Sequence, residues 1–507
     1  MIERIGIARI VAVATFLAHL ATLSRYGYFR DELYFIACAR HLAWGYVDQP
    51  PLVAFAAWLA TPFAFDLIAI RILPALASAL AAGLAVVVAR ELGGGRFAQW
   101  LAGVAVALLP AFLLLGNTLT TTSFESLSWL LAIWCTIRIV RGGPAWWWAL
   151  LGVAFAFGLY GKYSIALLAI ALPLGLLATR ERRALATPWL LAAIAVALAL
   201  TAPNLLWQAS HGWPMVAVLH GDAAGRHAFN TGVALEYRDL WTNAVAFALE
   251  QVLYTDPLAV PVWIAGLAAP FFMPKLRELR FLTIAYLALF AIAVVLAAKG
   301  YYIIGVYGGL LAVGAVAVES AAGWLRATAF VALAAVGAIV APISLPVLPI
   351  AQYVAYSNAL HMAGTPPRLT QPVYAEMFGW ERLARTVAGV YRSLPPSRRA
   401  RATVYADTYA DAGAIDLFGP RYGLPGAISG QNSYWLWGTR GNDGSTLIAI
   451  GATRIAILQR YYGSCALATT SNEPLKWVVE GPDPIYVCTH PRASLDAIWP
   501  DLRWYGA

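Results

Sequence analysis

The sequence predicts a polytopic α-helical membrane protein that ends in a smaller α/β domain. Three observations carry this. The chain of 507 residues is 61% hydrophobic and only 12% charged, about half the charge of an average soluble domain, with a mean hydropathy of +0.67. Apolar runs of about 20 residues recur through its first two thirds, each long enough to cross a bilayer as a helix. From residue 350 onward the texture changes to alternating amphipathic and strand-like segments. The net charge of +9 calls for no nucleic acid, because basic cytoplasmic loops are its usual source in such proteins.

The apolar runs place about eleven spans, with ends uncertain by several residues. They fall at 5–23, 67–89, 97–115, 123–140, 145–160, 163–179, 188–206, 243–272, 281–298, 302–319 and 327–348. The first has a basic start in Arg4 and Arg9 but no small-x-small cleavage site, so it reads as an uncleaved helix. Asp256 and Pro257 inside 243–272 predict a kink or a re-entrant turn. With the N-terminus in the cytoplasm, inside loops hold about twice as many Arg and Lys as outside loops. An odd span count then leaves the C-terminal region outside a plasma (inner) membrane. The chain divides into a membrane domain at 1–349, with an outer loop at 24–66, and an extracytoplasmic domain at 350–507.

In the second domain, "WERLARTVAGVYRSLPPSRRARATVYADTY" (380–409) reads as an amphipathic helix, a turn and a strand. "STLIAIGA" (445–452) and "DPIYVCTH" (483–490) read as further strands, and "RASLDAIW" (492–499) as a short helix. Cys465 and Cys488 form a disulfide if this region is exported; two free thiols are the alternative.

The chemistry concentrates in the outer loop. "FRDELYFIACARHLAWGYVDQPPLVA" (29–54) carries Arg30, Asp31, Glu32, Arg40, His41 and Asp48 in a chain otherwise poor in charge. "DELYFIACARHL" reads as a helix along the membrane surface, since Leu33, Ile36 and Ala37 share one face. Pro50 and Pro51 suit the start of a second short helix. Interfacial carboxylates can act as a general base or as metal ligands. They can equally cap a helix N-terminus, where negative charge is favoured.

This stretch resembles the first outer loop of the GT-C class of polyprenyl-phosphate-sugar-dependent glycosyltransferases. That class includes the protein O-mannosyltransferases and the lipid A aminoarabinose transferases. The shared pattern is the acidic pair Asp31-Glu32, then Asp48-Gln49-Pro50-Pro51. The resemblance extends through "GLYGKYS" (158–164) and "KGYYIIGVYGGLL" (299–311) and weakens in the C-terminal domain. It implies Asp31, with Glu32, as the catalytic carboxylates and a sugar donor carried on an isoprenoid phosphate. The aminoarabinose transferases place a lysine where Gln49 stands. That departure sets aside their specificity and leaves open whether Asp48 holds a divalent metal.

A donor phosphate needs cations at the outer interface. Lys162 and Lys299 fall at outer helix ends, followed by Tyr163 and by Tyr301 with Tyr302, whose phenols can also donate to phosphate. Arg30 is a third candidate. Snorkelling lysines beside interfacial tyrosines are the bland alternative. His211, His220 and His227 lie in another outer loop without tight metal-ligand spacing. "ISGQNSYWLWG" (428–438) combines amides and aromatics suited either to sugar rings or to a packed core.

The expectation is therefore an inverting transferase that moves a hexosyl or pentosyl group from a polyprenyl phosphate to an extracytoplasmic glycan, lipid or protein. A transporter or flippase of lipid-linked substrates is the rival. It predicts charges near the bilayer midplane and repeated halves, and the sequence displays neither clearly.

Overall fold

A computed structural model describes residues 6–224, 239–360, 372–475 and 482–506. The chain forms two compact units. The first comprises Met1–Ser24, Arg71–Leu206 and Arg226–Val347; the second comprises Arg25–Ile70, Trp207–Gly225 and Leu348–Ala507. The outer loop thus belongs to the same unit as the C-terminal region.

Each apolar run is helical where it is described. Six described helices are long and apolar enough to cross a bilayer: Leu67–Glu91, Thr121–Val140, Trp189–Ser210, Pro274–Val295, Gly300–Glu319 and Gly323–Ser344. Leu240–Thr255 and Val260–Phe272 form one further apolar stretch bent by 111°. The bend falls at Asp256, whose φ is +70°, where the Asp-Pro pair predicted a kink. Gly6–Leu20, Trp146–Gly161 and Ile165–Leu177 are shorter apolar helices. The run at 97–115 is two helices, Arg96–Ala107 and Pro110–Leu115. Pro110 has no N–H to continue the ladder, so a new helix starts there.

Burial separates core helices from those that present apolar side chains outward. The Gly300–Glu319 stretch is 78% buried, whereas Trp189–Ser210 is 17% buried despite similar apolarity. Leu191, Leu198 and Leu206 are exposed along the latter, as suits a lipid-facing helix whose backbone bonds are all internal. The core packs through small residues. A Cβ on Gly266 would lie 2.1 Å from the Leu310 carbonyl oxygen, and one on Gly314 would lie 1.9 Å from that of Val262. These glycines let the Val260–Phe272 and Tyr307–Glu319 helices approach backbone to backbone.

The second unit holds a five-stranded sheet. Its strands are β1 (Ala402–Ala406), β2 (Ala427–Ser429), β3 (Thr446–Ile450), β4 (Tyr462–Ser471) and β5 (Asp483–Pro491), in the order β2-β1-β3-β5-β4. The first three run parallel and are fully buried, so they read as continuous apolar runs. β5 pairs antiparallel with β3 and with the edge strand β4. Cys465 and Cys488 face each other across β4 and β5 and are disulfide-bonded. The amphipathic helix is Trp380–Ser393. The outer loop forms the helices Arg30–Arg40 and Leu52–Trp58, with Pro51 as N-cap of the second.

Candidate active site

Two clusters of functional side chains stand out, one in each unit. The first begins where the Arg30–Arg40 helix starts. Phe29 is extended and serves as N-cap. The Glu32 carboxylate accepts the Phe29 N–H at 2.8 Å and is fully buried, so this half of the acidic pair secures the first helical turn. Asp31 stays partly exposed. Its Oδ1 accepts the Tyr409 hydroxyl at 2.8 Å and lies 3.8 Å from Arg30 Nε. The Arg30 guanidinium also reaches Glu376 Oε1 at 3.3 Å and sits 5.2 Å from the Tyr409 ring centre. A cation and a phenol therefore hold one oxygen of a carboxylate that solvent can reach, the arrangement a general base needs.

Asp48 is held in a similar way. Its Oδ1 accepts the Tyr34 hydroxyl at 2.7 Å. Tyr34 in turn accepts the Ser433 N–H at 3.1 Å. Burial pushes the Asp48 carboxyl up to about 7, against the Tyr34 and Asn432 hydrogen bonds, which lower it; the Asp31 charge raises it further. Gln49 is buried with its amide 3.5 Å from Cys38 Sγ. A lysine at that position would bury an ammonium beside a thiol.

A third pair repeats the device: Tyr434 donates to Asp416 Oδ2 at 2.9 Å. Tyr34 stacks on Tyr409 at 4.6 Å and on Tyr434 at 6.3 Å. Three stacked phenols thus each donate to a different aspartate. Their placement follows from the sheet. Tyr409 opens the Tyr409–Phe418 helix just beyond the carboxyl end of β1. Asn432 and Ser433 follow the carboxyl end of the adjacent parallel strand β2. Such ends are where open α/β sheets present ligand-binding groups. The Tyr409–Phe418 helix comes close to the Arg30–Arg40 helix at Gly413, where a Cβ would lie 2.8 Å from the Leu33 carbonyl oxygen.

The second cluster belongs to the membrane unit. Lys162 is the C-cap of the Trp146–Gly161 helix. Its Nζ donates to Thr122 Oγ1 at 2.9 Å and lies over the rings of Tyr301 and Tyr302, at 4.3 and 4.8 Å from their centres. The Ser164 hydroxyl donates to buried Glu125. Lys299 precedes the 3-10 helix Gly300–Val306, which carries both tyrosines. The "GLYGKYS" and "KGYYIIGVYGGLL" motifs, far apart in sequence, therefore meet. Sequence reasoning found Lys162, Tyr301 and Tyr302 but missed Thr122 and Glu125. The hydroxyl-rich run "TTTSFES" (120–126) was their signal.

Among the described residues, no group of three or more His, Cys, Asp or Glu side chains converges to hold a metal ion. Asp48 accepts hydrogen bonds from the Tyr34 phenol and the Asn432 amide. His211 stacks on Trp207 at 4.0 Å. The side chain of His220 and the whole of His227 lie outside the described residues.

Residues 48–207 match the family model described as dolichyl-phosphate-mannose-protein mannosyltransferase. The chain's fold is similar to that of ArnT from Cupriavidus metallidurans bound to undecaprenyl phosphate. That match has a TM-score of 0.61 at 14% identity and covers 95% of this chain and 98% of that one. The apo state of the same protein gives a TM-score of 0.60 at 15% identity, covering 95% and 97%. The oligosaccharyltransferase AglB from Archaeoglobus fulgidus, in complex with an inhibitory peptide and a dolichol-phosphate, gives 0.46 at 13% identity, covering 97% of this chain and 77% of that one. No curated protein matches the chain. The resemblance to the GT-C class holds: this is a membrane protein with the GT-C fold.

Proposed function

We propose that the protein is an inverting glycosyltransferase that takes a sugar from a polyprenyl phosphate and transfers it to an acceptor outside the cytoplasm. The observation that carries this is Asp31, a solvent-accessible carboxylate held by Tyr409 and Arg30 at a helix start. The GT-C fold and the undecaprenyl phosphate bound by the similar ArnT support the donor class. In this reading the eleven apolar runs cross a plasma membrane, with the N-terminus in the cytoplasm and the C-terminal domain outside.

The chemistry balances without an external reagent. An acceptor hydroxyl oxygen attacks the anomeric carbon from the face opposite the phosphate. The bond from that carbon to the phosphate oxygen breaks, and its electron pair leaves with the polyprenyl phosphate. Asp31 takes the acceptor proton. Lys162, Lys299, Tyr302 and Arg30 stabilise the charge that grows on the departing phosphate. Glu32 keeps the helix start in place. An acceptor that is itself a phosphate would need no base, and Asp31 would then only position it.

The test is transfer by purified full-length protein in lipid nanodiscs, read as release of polyprenyl phosphate from a polyprenyl-phosphate-linked sugar. Asp31→Asn preserves shape and hydrogen bonding but removes the charge. It should lower turnover about 100-fold or more, as expected for loss of a general base, while thermal unfolding stays unchanged. A well-folded Asp31→Asn protein with near wild-type turnover removes Asp31 from the reaction.

A further inference from the structure

The second unit contains two cavities that take no part in the chemistry above. The first, of about 340 Å³, is lined by His41, Tyr46, Trp207, His211, Ser433 and Trp437, among others. The second, of about 490 Å³, is lined by Trp435, Arg503, Trp504 and Tyr505, and it shares His211 and Leu436 with the first. The shared residues make the two cavities neighbours along one aromatic-lined groove wall. Each volume lies in the range of pockets that take small ligands.

The walls of the groove are built, not accidental. In the first cavity two imidazoles lie flat on two indoles: His41 on Trp437 at 4.4 Å and 20°, and His211 on Trp207 at 4.0 Å and 16°. The loop that bears His41 is pinned by buried Tyr46, whose hydroxyl accepts the Ala43 N–H at 3.1 Å and donates to the Cys38 carbonyl at 3.1 Å. Buried Gln208 donates to the Tyr46 carbonyl at 3.0 Å. Trp435, which lines the second cavity, is fixed by Trp499: the two exchange indole N–H bonds to each other's carbonyls at 3.1 and 3.0 Å. Arg503 lies over Trp435 at 5.0 Å and Tyr505 at 5.7 Å. An isoprenoid chain would call for aliphatic walls. Here flat aromatic rings are accompanied by polar imidazole, hydroxyl and guanidinium groups. A pyranose ring has the complementary form, an apolar C–H face with polar hydroxyls around its rim.

Position narrows the ligand further. Asp31 opens the Arg30–Arg40 helix and His41 caps its other end. Ten residues at 1.5 Å each separate them by about 15 Å along the axis. A sugar in the groove is therefore not the one whose hydroxyl meets Asp31. Ser433 connects the two places: its N–H donates to Tyr34 in the Asp48 network, and its side chain accepts the Val47 N–H at the cavity wall.

We infer that this aromatic groove binds distal sugar rings of the acceptor, so that the acceptor is a glycan of several linked rings. The inference rests on the glycosyltransferase reading and adds the acceptor class to it. The experiment is a tryptophan-fluorescence titration of the full-length protein in nanodiscs. The probes are soluble gluco-, manno- and N-acetylglucosamine oligosaccharides of one to five rings, with polyprenyl phosphate as a separate arm. Affinity should rise at least tenfold from one ring to three for some member of the panel. Trp437→Ala and Trp207→Ala should each weaken that binding at least tenfold, while His211→Phe, which keeps a flat ring, should hold it within threefold. Thermal unfolding identifies a variant that fails to fold, and the exposed His41→Ala then takes its place, again with a tenfold loss expected. Absence of saccharide binding across the panel overturns the inference. So does binding that the variants leave unchanged, or a groove that answers to polyprenyl phosphate alone. Asp31→Asn should retain saccharide affinity. A transfer reaction that survives Asp31→Asn therefore sinks the catalytic reading and leaves the groove standing, whereas Asp31-dependent transfer with a saccharide-blind groove sinks only the groove.

Discussion

The carboxylate cluster and the lysine cluster hold their charges by opposite means. In the unit that bears Asp31, three aspartates of the cluster each meet a phenol end-on: Tyr409 on Asp31, Tyr34 on Asp48 and Tyr434 on Asp416. In the membrane unit Lys162 meets two phenols face-on, over the rings of Tyr301 and Tyr302. The same residue type thus serves an anion through its hydroxyl and a cation through its π face. A hydroxyl bond occupies one lone pair of the carboxylate and fixes its direction. A ring face attracts an ammonium without consuming its N–H donors, one of which goes to the Thr122 hydroxyl. The acids are arranged for geometry and the lysine for charge.

The largest test of this contrast is Lys162→Met, which keeps the stem and removes the charge. Turnover should fall about 100-fold, the scale for losing one electrostatic stabiliser of a leaving group. Lys162→Arg should recover most of it. If arginine and methionine behave alike, shape and not charge is what Lys162 supplies. A smaller effect is expected for Tyr409→Phe, which keeps the stacked ring but deletes the bond to Asp31. A drop in kcat of about tenfold fits the lower end for a hydrogen bond to a charged group. The donor KM and the unfolding temperature should not move. Equal loss from KM would show that Tyr409 contributes to binding and does not direct the carboxylate.

The smallest effect is one of stability. Between the ordinary aspartate value of 3.8 and the value of about 7 in the folded protein, folded Asp48 keeps a proton that the unfolded chain has released. The folded state then binds more protons, so the stability Asp48 contributes is greatest below pH 4 and falls as pH rises to 7. Asp48→Asn removes that fall. The unfolding temperature of the variant should gain on wild type from pH 4 to 7 and level off above. Parallel curves would mean that Asp48 is not buried as described.

The membrane helices were legible because about 20 apolar residues in a row have few other uses. Asp31 and Asp48 were legible because ionisable residues are costly in such a chain, and each stands near the start of one of the two short helices of the outer loop. Tyr409 was not, since it lies 378 residues from Asp31 in sequence and no local pattern encodes that meeting. The helical role of Glu32 was visible in the motif, but its chemistry is indistinguishable from that of its neighbour until burial is known. The parallel strands β1 and β3 were found from their apolar runs. The short β2 and the edge strand β4 were missed; β4 is largely exposed, so it carries little apolar signal.

The bridge between Cys465 and Cys488 has a consequence for how the protein matures. It joins residues only 23 apart on neighbouring strands, so it can close as soon as that hairpin emerges, before the sheet is complete. On the proposed topology this happens only after export, because the cytosol keeps thiols reduced. A chain whose last segment stalls on the synthetic side of the membrane would carry two free thiols on β4 and β5, and its redox state would record on which side of the bilayer it had folded.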